Sequence, residues 1–313
     1  MRTQHSTWAY QPEQRNVLLA TQTLPTLLAN QVLVQNQAIG INPVDWKFIQ
    51  ANPIDWQEGH IPGVDGAGIV VAVGDDVDKA WLGQPVAYHA ALAQHGSFAE
   101  HTPVYLNRLM KLPKAMSATL AAALPCPMLT AWQAVEKIPQ KSAHRVLISG
   151  LGAVTKLLAQ MLVQRGFVVD VISKSCTPDL AQKLGINTVY RQLEDVENKY
   201  FAAYDAVSPE SAACLVSQLR ANGHLVCIQG RVEQPVDAPF TTNISYHEIA
   251  LGALHNFGDE QDWAQLMSDG ETLLAQVASG SILVESPQQF HFDSMLDALE
   301  HSQHSKQKSV VTV

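Results

Sequence analysis

Between Val146 and Thr155 the chain reads Val-Leu-Ile-Ser-Gly-Leu-Gly-Ala-Val-Thr: an apolar run enters a glycine turn and leaves it as the start of a helix. That order can hold a nucleotide pyrophosphate. Gly150 permits the tight turn, Gly152 lets the backbone approach the phosphates, and the amides at the helix start meet their charge. Ser149, Gly150, Gly152, Ala153 and Val154 are the expected cradle, with Thr155 standing where a third glycine usually sits. The end of the next strand selects the coenzyme. An acid about 20 residues beyond the glycines would bond ribose hydroxyls, the NAD arrangement. Here Lys174 lies at that distance, flanked by Ser173 and Ser175. A cation with two hydroxyls fits a 2′-phosphate, so NADPH is the expected coenzyme. Two other readings stay open: Lys174 as a solvated loop lysine, and Asp170 as an NAD-type acid if the strand ends early.

These residues need a frame, and the chain supplies two patterns. The first third is β-rich, with strand-like runs at 31–35, 67–74 and 85–88 between dense Pro and Gly punctuation. From Ser117 the pattern becomes helical: a capped Ala-rich segment to Leu124, then a helix expected over 129–138. Strand and helix alternate afterwards: strand 145–149, helix 154–165, strand 167–173, helix 178–184, strands 203–207 and 224–228, with 214–220 expected helical between the last two. This alternation predicts a parallel sheet covered on both faces, so the class is α/β. The β-branched tail Ser309-Val310-Val311-Thr312-Val313 is expected to add a strand to an existing sheet, one that belongs to the first domain. Asn42-Pro43-Val44-Asp45-Trp46 recurs as Asn52-Pro53-Ile54-Asp55-Trp56. This is too short for a repeat architecture and reads as two Asn-Pro turns.

Composition closes off other classes. The 313 residues are 47% hydrophobic and 16% charged, ample for a packed core and unlike a disordered chain. A net charge of -9 argues against nucleic-acid and anionic-membrane partners. No run reaches the roughly 18 apolar residues of a membrane span. The opening Met1-Arg2-Thr3-Gln4-His5-Ser6 has no hydrophobic segment like a secretory leader. Cys126, Cys176, Cys214 and Cys227 form no CxxC pair and read as reduced thiols, so a cytoplasmic location is expected. The twelve histidines show no HxxxH spacing, and no metal site is expected.

The chain resembles the medium-chain dehydrogenase/reductase superfamily, in its zinc-free quinone oxidoreductase-like branch. The resemblance rests on Gly40-Ile41-Asn42-Pro43-Val44-Asp45-Trp46-Lys47, then Ile61-Pro62-Gly63-Val64-Asp65-Gly66-Ala67-Gly68-Ile69-Val70. It continues through Gly83-Gln84-Pro85-Val86, Gly96-Ser97-Phe98-Ala99-Glu100 and Ala121-Ala122-Ala123-Leu124-Pro125, leading to Leu129-Thr130-Ala131-Trp132. It implies a GroES-like β-rich catalytic domain over 1–116 and 253–313, and a Rossmann doubly wound domain over 117–252. It also implies a homodimer and a small-molecule substrate.

Zinc-dependent relatives carry Cys where this chain has Asn42 and His-Glu where it has Val64-Asp65. Cys126 falls near a third ligand position, and one thiolate cannot build a catalytic zinc site. By the same resemblance Asn42, Asp45 and Thr130 lie near nicotinamide and substrate. Asn42 offers an amide to a carbonyl or enolate, Asp45 orients that amide, a water or the ribose, and Thr130 supplies a hydroxyl. Tyr190 packs near the adenosine phosphate, and Gln229-Gly230 pass the nicotinamide face. Tyr88 and His89 either line the substrate cleft or pack the barrel. The implied activity is NADPH-dependent reduction of quinones, enones or small carbonyls without zinc. The alternatives are a zinc-free alcohol dehydrogenase or enoyl reductase of the same fold, and a low-activity NADPH-binding redox sensor.

Overall fold

The computed structural model describes residues 3–305 and 307–313; Met1 and Arg2, which open the segment read as lacking a leader, and Lys306 lie outside the described residues. Two compact units divide the chain. One runs to Cys126 and resumes over Gly252–Ser281 and Glu285–Val313; the other takes Pro127–Leu251 with Ile282–Val284.

The first unit is built on a seven-stranded sheet. Its longest strand, Gln31–Ile41, pairs antiparallel with Asp65–Val73 and His101–Tyr105, and Asp65–Val73 pairs with Pro85–His89. The terminal strand Ser309–Thr312 adds to Gln31–Ile41 on the edge opposite Asp65–Val73, with Ser309 opposite Ile41, as the β-branched tail predicts. Val32, Val34, Val70, Val86, Tyr88 and Val104 fill one core. Each such side chain contributes about 1.5–3 kcal/mol through removal from water. The buried Asn36 amide crosses this core: it donates to Ala99 O at 2.8 Å and Thr102 Oγ1 at 2.9 Å, and accepts from Tyr88 Oη at 2.7 Å.

A hairpin of Gln4–Gln11 and Asn16–Thr23 packs Trp8 and Tyr10 into a second core with Trp56, Phe98 and Leu299. Its turn has no Asn-Gly signal; it is closed by Arg15 at φ +48°. The repeated Asn-Pro string resolves into two different devices on one helix, Pro43–Ala51. Asn42 is its N-cap, whereas Asn52 ends it in the left-handed region at φ +43°.

The second unit holds six parallel strands in the spatial order 188–190, 168–172, 145–149, 200–205, 219–227, 245–248. Numbered along the chain this is 3-2-1-4-5-6, the order of doubly wound dinucleotide folds. One local expectation is corrected. The helix expected over 214–220 lies at Pro209–Leu215, because Ser208 caps it through Ser211 N–H and Pro209 takes its first turn. Leu219 and Arg220 already belong to the next strand. Among the described residues no helix is long and apolar enough to cross a membrane.

Candidate functional site

Two sets of residues with chemical potential emerge, one in each unit. In the second unit Ser149, Ile172, Asp205 and Cys227 stand in register across the parallel strands. The segments that follow them, at 150–152, 173–175, 206–208 and 228–230, therefore leave the same sheet edge. Strand order reverses at Arg145–Ser149, and the crevice beyond such a reversal is where doubly wound sheets take ligands.

Gly150 sits there at φ +83°, a conformation that favours glycine. Gly152 caps the helix Ala153–Gln164; Gly152 and Ala153 are exposed and Val154 half-buried. A Cβ on Gly152 would meet nothing within 4 Å, so the space beside this amide is open. Thr155, read only as a missing glycine, has a definite job: its buried hydroxyl accepts the Gly152 N–H at 2.8 Å. One of the orphan donors of the helix start is thus satisfied internally.

Ser149 and Asp205 meet through Ser211. Asp205 Oδ2 accepts from Ser211 Oγ at 2.5 Å, and Ser211 Oγ lies 3.3 Å from Ser149 Oγ. Asp205 Oδ1 accepts the N–H groups of Val207 and Ser208, which fixes the loop after that strand. Lys174 is exposed and Ser173 buried, the latter accepting Cys176 N–H at its hydroxyl. Arg191, to which sequence reasoning gave no role, pins this loop: Nη1 donates to the carbonyls of Ser173, Lys174 and Cys176 at 2.9, 3.3 and 3.1 Å. Tyr190 is half-buried; its carbonyl accepts Ser173 N–H, and its hydroxyl accepts from Asn198. Gln229 is exposed, and Gly230 follows at φ +155°.

Asp170 stands mid-strand with both carboxylate oxygens engaged. Oδ2 accepts from Arg145 Nη1 at 2.8 Å and Tyr200 Oη at 3.0 Å, and Oδ1 from Asn187 Nδ2 at 2.8 Å. These bonds tie the side chain to other strands of the sheet.

In the first unit Asn42 and Asp45 come together by helix geometry, because an N-cap and the third helical residue face each other. Asp45 Oδ2 accepts Asn42 N–H at 2.7 Å and Oδ1 accepts Val64 N–H at 3.1 Å. Asp45 therefore bonds the backbone, and the Asn42 side chain is held by other groups. Its Nδ2 donates to Asp65 Oδ2 at 2.8 Å, and its Oδ1 accepts from Lys308 Nζ. Asp65 accepts Cys126 N–H at both oxygens, 3.0 Å each, with Lys308 Nζ 3.8 Å from its Oδ2. Burial pushes the Asp45 carboxyl up to about 7; its backbone bond to Asn42 opposes this, and the neighbouring Asp65 adds to it. Burial likewise raises Asp65 to about 6, against the pull of Lys308 and Asn42.

Asp65 and Lys308 are the members sequence reasoning missed. Asp65 was visible only as the residue replacing a zinc ligand, and Lys308 only as the residue before a strand. Thr130 is carried by the other unit, half-buried on the helix Pro125–Glu136. Of the two residues left between cleft and barrel, Tyr88 is buried in the barrel core. His89 is buried with Nδ1 3.0 Å from His255 Nε2, and burial depresses both imidazoles, His255 to about 4.

The donors around Asn42 do not fit zinc. Its amide oxygen faces an ammonium, Asp65 is engaged by Asn42 and Cys126, and among the described residues no group of three or more His, Cys, Asp or Glu could hold a metal ion.

Comparison with known proteins places these features in context. Residues 28–114 match the alcohol dehydrogenase GroES-like domain. A 2-methylene-furan-3-one reductase of Solanum lycopersicum is 31% identical over 227 residues, which is 68% of this chain and 58% of that protein; the match thus spans less than two thirds of the relative's length. A probable quinone oxidoreductase of Schizosaccharomyces pombe is 29% identical, covering 70% of this chain and 68% of that one. An NADPH-dependent alkenal/one oxidoreductase of Arabidopsis thaliana is 29% identical over 68% of this chain and 58% of its own. Among solved structures, an alcohol dehydrogenase superfamily protein from Novosphingobium aromaticivorans superposes with a TM-score of 0.87 over 99% of both chains at 23% identity.

Proposed function

The chain belongs to the medium-chain dehydrogenase/reductase superfamily, and we propose that it is an NADPH-dependent oxidoreductase that reduces quinones, enones or small carbonyl compounds without zinc. The observation that carries this reading is the Gly150–Gly152 turn. It opens a helix at the strand-order reversal, with exposed backbone and unfilled space beside it. Ser149, Gly150, Gly152, Ala153 and Val154 would hold the pyrophosphate there. Ser173 and Lys174 would meet a 2′-phosphate, with Tyr190 behind them and Gln229-Gly230 toward the nicotinamide. When bound, NADPH supplies the hydride.

The chain's own task is to aim the acceptor and neutralise the charge that develops on its oxygen. Asn42 can present one N–H to that oxygen, since its other groups are taken, and a fixed donor in a dry site stabilises an oxyanion without reorganising. Asp45 holds the turn that carries Asn42, and Thr130 would place a hydroxyl by the coenzyme. The named relatives, which act on a methylene-furanone, on alkenals and alkenones, and on a quinone, support this substrate class. The reading includes a cytoplasmic homodimer.

Calorimetry on nucleotide-stripped protein tests the coenzyme, and NADPH depletion over quinones, enones and aldehydes, with and without chelator, tests the reaction. Uptake of NADPH and chelator-insensitive turnover of at least one acceptor are expected. No uptake of either reduced coenzyme refutes the reading.

A further inference from the structure

We propose that Lys308 is a positioning residue for the reaction: with Asp65 it clamps the Asn42 amide in one sense and sharpens the single N–H left to meet the substrate oxygen. The proposal rests on the reading of Asn42 as that donor.

An amide side chain has two ends of similar shape, and only its surroundings decide which end is oxygen. Around Asn42 they decide it by charge. Lys308 Nζ donates to Oδ1 and Asp65 Oδ2 accepts from Nδ2 at 2.8 Å. Rotating the amide by half a turn would set NH2 against an ammonium and C=O against a carboxylate, losing two charge-assisted bonds and creating two repulsions. The clamp is dry: Asp65 is fully buried and the Lys308 side chain is 13% exposed. In such surroundings hydrogen bonds polarise one another, so an ammonium on the amide oxygen makes the remaining Nδ2 N–H a stronger donor. Lys308 is also the cation facing the two buried carboxylates, Asp45 and Asp65. Without it, an anion forming on a substrate beside Asn42 would lose the positive charge that this ammonium supplies.

Delivery of Lys308 follows from strand pairing. Ser309 lies opposite Ile41 in the antiparallel pair, so the residue before Ser309 comes opposite the residue after Ile41, which is Asn42. The Lys308 carbonyl accepts Gln288 N–H at 2.8 Å, which anchors its backbone from the neighbouring strand. The remaining groups on this cluster are backbone donors from Asn42, Val64 and Cys126, together with His89, whose imidazole is held neutral by burial.

The test is a double-mutant cycle of Lys308→Met and Asn42→Ala, with kcat and the NADPH KM measured on the best acceptor of the panel above. Lys308→Met is expected to lower kcat about 10- to 100-fold, the range spanned by losing one polarised donor interaction, with the NADPH KM changed less than about threefold. Lys308→Arg should restore most of kcat. In the Asn42→Ala background, Lys308→Met should lower kcat no further, since both act through one amide. Equal losses in both backgrounds, or an unchanged kcat in Lys308→Met, overturn the proposal. If Lys308→Met does not accumulate, Lys308→Gln, which keeps a neutral donor, is judged by the same criteria. If Asn42→Ala alone turns over like the parent, it is the reading of Asn42 that fails; if Asn42→Ala is slow and Lys308→Met is not, the clamp alone fails.

Discussion

Asp170→Asn separates the two roles that sequence spacing leaves open for this residue. The substitution keeps size and removes charge inside a strand where Asp170 accepts from Arg145, Tyr200 and Asn187. The new amide turns its oxygen to the end with two donors, Arg145 and Tyr200, and its NH2 to Asn187. Each of the first two bonds falls from the charge-assisted class to the neutral one, a loss of about 1 kcal/mol apiece, and the clash with Asn187 adds up to about 1 more. The total, about 2–3 kcal/mol, is below the 3–5 of a broken buried pair because the Arg145 side chain is 39% exposed and water can take its charge. For a unit of this size that lowers the melting temperature by about 10 °C. Calorimetric scanning of the second unit's transition, alongside KM for NADPH and NADH, reads both roles. The expected outcome is a lowered melting temperature with coenzyme preference unchanged. A shifted preference at unchanged melting temperature would refute the structural assignment and make Asp170 the ribose acid.

Other perturbations follow the same physics. Lys174→Asp should move the NADPH/NADH ratio of kcat/KM toward NADH by about 10- to 100-fold, the worth of one to two charged hydrogen bonds; an unchanged ratio removes Lys174 from the phosphate site. Gly40→Ala places a Cβ 1.9 Å from the Ala122 carbonyl oxygen, backbone against backbone, and should cost about 3 kcal/mol or more, read as loss of soluble protein or of the urea midpoint. Asp45, raised to about 7 by burial, holds a proton in the native state that the unfolded chain has already lost, so its contribution is largest below pH 4 and falls as pH rises to 7. The depressed histidines His60, His89 and His255 act oppositely, favouring the native state as pH rises until the unfolded imidazoles have lost their protons. The histidines are common to the parent and to Asp45→Asn, so the difference between the two proteins isolates Asp45: across pH 6.5 to 8 the parent should lose about 1 kcal/mol relative to that variant. A parent-minus-variant difference in urea midpoint that does not fall across this window contradicts it.

What the sequence reveals of this site is set by the range over which each constraint acts. Gly150 and Gly152 are legible because a tight turn and an open helix start are written within six residues. Asn42 and Asp45 are reached only through the family resemblance; that they pair as a cap and its third helical residue is hidden behind an Asn-Pro string read as a turn. Thr155 was half-legible: its place in the motif is plain, but that its hydroxyl would take the Gly152 amide depends on a rotamer no spacing announces. Arg191 and the partners of Asp170 are reached only across strands, where residues far apart in sequence become adjacent. Lys308, 266 positions from Asn42, is the extreme case. Yet its placement has a simple cause. The β-branched tail calls for a partner strand, and with Ser309 against Ile41 the residue opposite Asn42 is decided. Side chains alternate faces along a strand, so a slip of one residue would turn Lys308 away from Asn42 and the two buried carboxyl groups. The charge cluster thus helps to fix the very register that assembles it.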